Sequence, residues 1–180
     1  MVKLPKPNDF DEIRKRGSSD RHIVKRVADT ALEGGLDSDR EDSILEAWIE
    51  AVKPDDVSQF QSYKRQYPLT SNGQLQNYLL VYKEVELGGF RIDSVIRTPD
   101  GKWKLIEVKT QDGLGLGVIG HLLSKRSQFE NIFTVSPNDI EMSVLTDNGD
   151  DSFQSVVTDV NDQYEINIKF DQVQVGNDQA

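Results

Sequence analysis

The sequence predicts a single α/β domain: an antiparallel meander, then a helix and a strand, make a mixed sheet flanked by helices. Three observations predict it. Apolar residues recur at helical spacing in the first third of the chain and switch to a strand-like pattern from Tyr78 onward. Glycine and proline then punctuate the strands at turn spacing. The 180 residues are one domain's worth of chain, enough to bury a core.

Residues 1–17, charged and proline-bearing, read as a mobile arm, residues 18–170 as the domain and residues 171–180 as a frayed tail. Ser19 and Asp20 can cap a first helix with apolar positions Ile23, Val27, Ala31 and Val24, Ala28, Leu32, stopped by Gly34-Gly35. Ser38-Asp39-Arg40-Glu41 is a second start signal, a capping box, and the helix behind it puts Ile44, Trp48, Val52 and Leu45, Ile49 on one face until Pro54. A weaker helix from Asp55 to Gln66 would turn Val57, Phe60 and Tyr63 inward. Tyr78–Leu87, Phe90–Arg97 and Lys102–Thr110 are strands, joined by Gly88-Gly89 and by Thr98-Pro99-Asp100-Gly101. Connections this short make them antiparallel neighbours. A helix over Val118–Phe133, a strand over Ile140–Leu145, a helical stretch Asp150–Val160 and a last strand Tyr164–Phe170 follow.

Composition excludes several chemistries. There are no cysteines, hence no disulfides, thiolate zinc sites or thiol nucleophiles, and a cytoplasmic location is expected. Two histidines rule out a histidine-rich metal site. No apolar run reaches the ~20 residues of a membrane helix, and residues 1–7 hold no apolar signal core. The net charge of -10 argues against a nucleic-acid partner, but it is unevenly spread. Residues 27–60 carry -8 and residues 137–180 carry -9, whereas residues 1–26 carry +4 and residues 61–136 carry +3. The acidic flanks suit a protein partner; the middle is locally basic.

That middle holds the candidate chemistry. In Ile106-Glu107-Val108-Lys109, strand alternation puts Glu107 and Lys109 on one face and Ile106 and Val108 on the other. Asp93 is a lone acid in the apolar run Ile92-Asp93-Ser94-Val95-Ile96. The thirteen intervening residues finish one strand, turn and return, so the three can converge. Two carboxylates offer hard oxygen ligands to Mg²⁺, with Mn²⁺ as a substitute, and a lysine can position the attacking water and offset charge on a phosphate. The competing reading is an exposed ion pair on a solvated strand.

The run Gly89-Phe90-Arg91-Ile92-Asp93, Asp100-Gly101 and Ile106-Glu107-Val108-Lys109 resembles the PD-(D/E)xK, or restriction-endonuclease-like, superfamily, and the order of elements from about Glu41 to Leu145 resembles it too. The archaeal mismatch- and branch-cutting endonuclease domains are nearest in pattern, with Shedu-type defence nucleases less specifically similar. The resemblance implies a restriction-endonuclease-like sheet, an Mg²⁺-dependent nuclease acting on nucleic acid, with DNA and endonucleolytic cutting the first expectation, and a metal set of Asp93, Glu107 and Val108. It also implies a glutamate from the first core helix. Glu41 fits best, Glu46 is the fallback, and the capping box alone explains Glu41 equally well. Glu84 reads as a solvated strand residue. Exonuclease-like branches carry Gln-x-x-x-Tyr on the helix after the motif strand, where this chain has His121 and Lys125 instead. Those two residues, one helical turn apart, are candidates to face nucleic acid or the metal-bound water, and Arg91 to face nucleic acid.

Two other readings stay open. Gly115-Leu116-Gly117-Val118-Ile119-Gly120 is a literal G-x-G-x-x-G, with Asp147 a conceivable ribose partner, as in dinucleotide-binding proteins. It starts late after its strand, behind a meander rather than a β-α-β unit, and reads better as a loop over the cleft. The fold could also serve as a catalytically silent binding module. A homodimer would suit cutting of both strands of a duplex.

Overall fold

The computed structural model describes residues 23–31, 36, 38–52, 61–62, 80–98, 101–147 and 149–175. The expected arm, the Ser19-Asp20 cap, the Gly34-Gly35 stop, Pro54 and the loop around Pro68 lie outside them. The described residues form one mixed sheet with helices on both faces. Helix α1 covers residues 23–30, α2 Asp39–Val52, α3 Leu116–Phe133 and α4 Asp151–Tyr164. The strands are β1 (Gln61–Ser62), β2 (Leu80–Leu87), β3 (Phe90–Arg97), β4 (Trp103–Val108), β5 (Ile140–Thr146) and β6 (Ile168–Gln172), lying side by side in chain order. β2–β3 and β3–β4 are antiparallel and the other pairs parallel, so β3 alone runs against the rest.

The meander follows from its turns. Leu87 pairs with Phe90, leaving Gly88 and Gly89 as a two-residue loop with φ of 52° and 93°. Positive φ at both positions is what a twist-matched hairpin requires, and glycine adopts it without steric strain. At the next turn the Gly101 N–H donates to Thr98 O at 3.0 Å, and the Thr98 N–H to Lys102 O at 2.9 Å.

Alternation then assigns the faces. Trp103 and Leu105 join α1, α3 and α4 in one apolar cluster, and Ile106 and Val108 join α2 in the other. α3 contributes Val118, Leu122, Phe129 and Phe133, and Phe129 stacks tilted on Trp103 at 5.5 Å between centroids. α2 contributes Ile44, Leu45, Trp48 and Ile49, against Val81, Ile96, Ile106, Val108 and Leu145. Lys83 of β2 ties α2 down through Asp42 (3.2 Å) and Glu46. No described helix is long and apolar enough to cross a membrane.

Four expectations need correction. Gln61 and Ser62 are not helical: they pair with Leu80 and Val81, because an open sheet edge outweighs a weak helical period; the rest of that expected helix lies outside the described residues. Tyr164 is the last residue of α4, not the first of a strand. Glu165 ends the helix in the left-handed region (φ 52°), and the Asn161 amide bonds both the N–H and the carbonyl of Ile168, delaying β6. β6 therefore continues into the expected tail, where Asp171 accepts from Lys104 Nζ (3.0 Å) and Ser143 Oγ (2.6 Å). Glu84 is buried, not solvated, with φ of 51°.

The α3 stripe should dominate stability: Phe129→Ala should cost about 3–5 kcal/mol. Leu116→Ala, at a side chain 68% exposed, should stay within about 0.5 kcal/mol. Denaturant midpoints at constant slope check both.

Candidate active site

The site begins where β3 and β4 stop pairing. Their ladder runs from Arg97↔Trp103 to Ser94↔Ile106, and two residues further the same register would bring Ile92 opposite Val108. Instead the Val108 N–H donates to Asp93 Oδ2 at 2.8 Å. A side-chain carboxylate has taken the place of a ladder acceptor, which fixes Asp93 at the parting of the strands. Side-chain alternation breaks at the same point. Tyr82 and Val85 of β2 both join the α3-side cluster, as do Val95 and Ile92 of β3. The break falls on Glu84 and Asp93, which face each other between the pairs Lys83↔Ser94 and Val85↔Ile92.

β4, by contrast, stays paired with β5 to its end, and the Lys109 N–H donates to Leu145 O at 2.9 Å just beyond it. The Lys109 side chain can therefore reach past the edge of the sheet. Its Nζ lies 3.7 Å from Asp93 Oδ2, 3.7 Å from Glu107 Oε1 and 3.4 Å from Glu41 Oε1. Its stem is held by the turn that follows, because a Cβ on Gly113 would lie 3.2 Å from Lys109 Cδ. Glu41 arrives from the other face of the sheet. α2 lies with its first turn over the end of β4 and Trp48 over Lys104, whose Nζ is 4.6 Å from the indole centroid. Arg40, beside Glu41, pairs with Asp147 at 2.7 Å. Ser38 Oγ accepts the Glu41 N–H at 3.1 Å, so the cap forms, yet the Glu41 carboxylate turns to Lys109. Cap and site use different ends of one residue.

Glu107 is nearly buried and held from both sides, Oε1 near Lys109 and Oε2 accepting from Lys125 Nζ. Burial and the neighbouring Asp93 carboxylate push the Glu107 carboxyl above its usual range, against the pull of Lys125 and Lys109. Burial would lower Lys109, but Asp93, Glu107 and Glu41 together outweigh it and raise its pKa. Three carboxylates against two ammonium groups leave one negative charge in a largely buried place. That hard-oxygen, net-acidic donor set fits Mg²⁺ or Mn²⁺. Among the described residues no three Asp, Glu or His groups already stand at ligand spacing; these carboxylates face lysines.

The expected core of Asp93, Glu107, Lys109 and Glu41 is thus brought together, with Val108 buried between Glu107 and Lys109. Glu46 goes to Lys83 instead. Of the three residues expected to face nucleic acid, Arg91 pairs with Glu84 at 2.9 Å, His121 is exposed, and Lys125 is buried against Glu107. Lys125 therefore lies at the floor of the site, against Glu107. Its signal was present: Lys125 interrupts the stripe Val118, Leu122, Phe129, Phe133 at helical spacing, and a cation there needs a buried partner. The glycine-rich run does not make a strand-to-helix turn. A 3₁₀ turn at Gln111–Gly113 intervenes, α3 starts within the run at Leu116, and Asp147 is engaged by Arg40.

Solved structures resemble this chain in part. A repair endonuclease from Pyrococcus abyssi matches 54% of it at 9% identity (TM-score 0.40), and the EndoMS–dsDNA2 complex matches 53% at 12% identity (TM-score 0.36). The match spans 39% and 36% of those chains. Likeness at this level bears on neither chemistry nor substrate. No protein-family model and no curated protein matches the chain.

In a carboxyl NMR titration Glu107 should have its midpoint above the ordinary glutamate range, and Asp93→Asn should bring it down by removing the like charge. Because the folded value exceeds the unfolded one, the native state holds the proton longer, and stability should fall as pH rises from the ordinary to the raised value. Asp93→Asn should flatten that slope.

Proposed function

We propose that this chain is a metal-dependent nuclease of the PD-(D/E)xK type, an endonuclease hydrolysing phosphodiester bonds of nucleic acid, in the first instance DNA. One observation carries the reading: carboxylates from β3, β4 and α2 meet at the ammonium of Lys109, at 3.7, 3.7 and 3.4 Å. Ion pairs on a solvated strand would be exposed and independent, whereas these share one lysine and are largely buried. An assembly of this kind is costly to maintain for stability alone, since burying charge offsets most of what pairing contributes.

Asp93 and Glu107 are the side chains that would hold Mg²⁺ or Mn²⁺, with Val108 between Glu107 and Lys109 as the backbone contributor. The ion supplies polarisation of a phosphodiester oxygen and a bound water of lowered pKa. The protein's own residues do the rest. The Val108 N–H keeps Asp93 oriented without consuming its second oxygen. Lys109, steadied by Gly113, directs its ammonium to the water and to the charge developing on the phosphate. Glu41 holds Lys109 from the opposite side and sets the direction of its ammonium. Substrate approach would be past the exposed start of α3, where Leu116 and His121 lie.

Purified protein incubated with closed circular single-stranded and duplex DNA and Mg²⁺ or Mn²⁺ should cut both the circle's continuity and its supercoiling, and EDTA should stop it. Lys109→Ala should lower the rate by about 10²–10³-fold, the scale for loss of one preorganised electrostatic contact, while the fold persists. Wild type that is folded yet cuts neither circle with either ion would overturn the nuclease reading in favour of a binding module.

A further inference from the structure

Lys125 is an ammonium group on the buried face of α3, and the chemistry just described makes no use of it. It donates to Glu107 Oε2, while Oε1 of the same carboxylate is the oxygen turned toward Lys109 and the cluster. The two oxygens are therefore inequivalent. One is committed to a lysine locked in the apolar stripe of a helix, between Leu122 and Phe129; the other faces a lysine that is only part-buried and is shared with two more carboxylates. Lys125 is about as buried as the carboxylate it holds, with side chains 10% and 5% exposed, so both are largely shielded from bulk solvent.

We propose that Lys125 is a positioning residue that makes Glu107 a one-oxygen ligand and so selects the ion the site accepts. The inference rests on the metal-site reading given above. A carboxylate with one oxygen committed to a lysine can offer a cation only the other. Mg²⁺ and Mn²⁺ bind single carboxylate oxygens at octahedral positions. Ca²⁺ is larger, takes six to eight oxygens and favours carboxylates that bind through both. Holding Oε2 on Lys125 therefore disfavours Ca²⁺ more than it disfavours the smaller ions. The charge on Lys125 repels all of them alike, so the comparison between ions separates the two effects.

Calorimetric titration of the metal-free protein with Mn²⁺ alone and with Ca²⁺ alone tests this without reference to cleavage. Wild type should prefer Mn²⁺. Lys125→Met, which keeps the bulk but frees Oε2, should shift the preference toward Ca²⁺ by about tenfold, the lower end of what ligand-orienting contacts contribute. Lys125→Gln, whose amide still donates, should keep the wild-type preference even though both ions gain affinity from the lost charge. An identical Mn²⁺-to-Ca²⁺ ratio in all three proteins would overturn the role of Lys125 and leave the metal site intact. Binding of neither ion by wild type would overturn the metal site and this inference together. Should Lys125→Met fail to fold, the lysine ammonium signals of wild type decide. On addition of Mg²⁺ the Lys125 signal should remain that of an ordered, hydrogen-bonded group while the Lys109 signal moves, and release of Lys125 by Mg²⁺ would refute the assignment.

Discussion

Asp93 accepts a backbone N–H that the β3–β4 ladder would otherwise have used, and the arrangement of charged groups in this protein depends on that substitution. Were the ladder to continue, Val108 would pair with Ile92 and the two strands would close over the place where the carboxylates now meet. With Asp93 in the ladder's place, the strands part without leaving a buried N–H unsatisfied, which would cost about 1–3 kcal/mol. The break in alternation at Glu84 and Asp93 belongs to the same event. A left-handed backbone at a buried glutamate is strained, and strain of this kind persists only where the surroundings enforce it.

Both helical layers then contribute to one point. α3 lies on one face and delivers Lys125 beneath Glu107; α2 lies on the other and delivers Glu41 beyond the end of β4. Neither could do so from the middle of the sheet, because all six β4 residues are buried and paired with β5 there. Lys109 is the first residue free of the strand, and its side chain is long enough to meet groups from both faces. The apolar packing of Trp103 on Phe129 and of Ile44, Leu45 and Ile49 on Ile106 and Val108 fixes these distances. The core, in this sense, is the support of the site.

How much of this the sequence discloses depends on the range of the interaction. The hairpin at Gly88-Gly89, β3 over Phe90–Arg97, and the shared face of Glu107 and Lys109 are local consequences of turn chemistry and alternation, and all were legible. So was the start of α2, because Ser38 caps it through a contact three residues long. Long-range competition was not legible. The Gln61–Ser62 edge pairing and the delay of β6 by Asn161 depend on partners that no local window contains. Glu84 looked like an ordinary alternating residue because the break in alternation exists only in the paired strands. Lys125 was legible as a residue of the helix beside the site but not as the partner of Glu107, because that contact joins two elements no local window contains.

If the acidic cluster is a cation site in which Lys109 stands in for an ion, ion binding and unfolding are linked, and that linkage is the most direct test. Denaturant unfolding of wild type and of Asp93→Asn should be measured with EDTA and with saturating Mn²⁺. Mn²⁺ should raise the wild-type stability by about 3 kcal/mol at a hundredfold excess over its dissociation constant, and raise that of Asp93→Asn far less. Equal stabilisation of both proteins, or none of either, would contradict the cation-site reading.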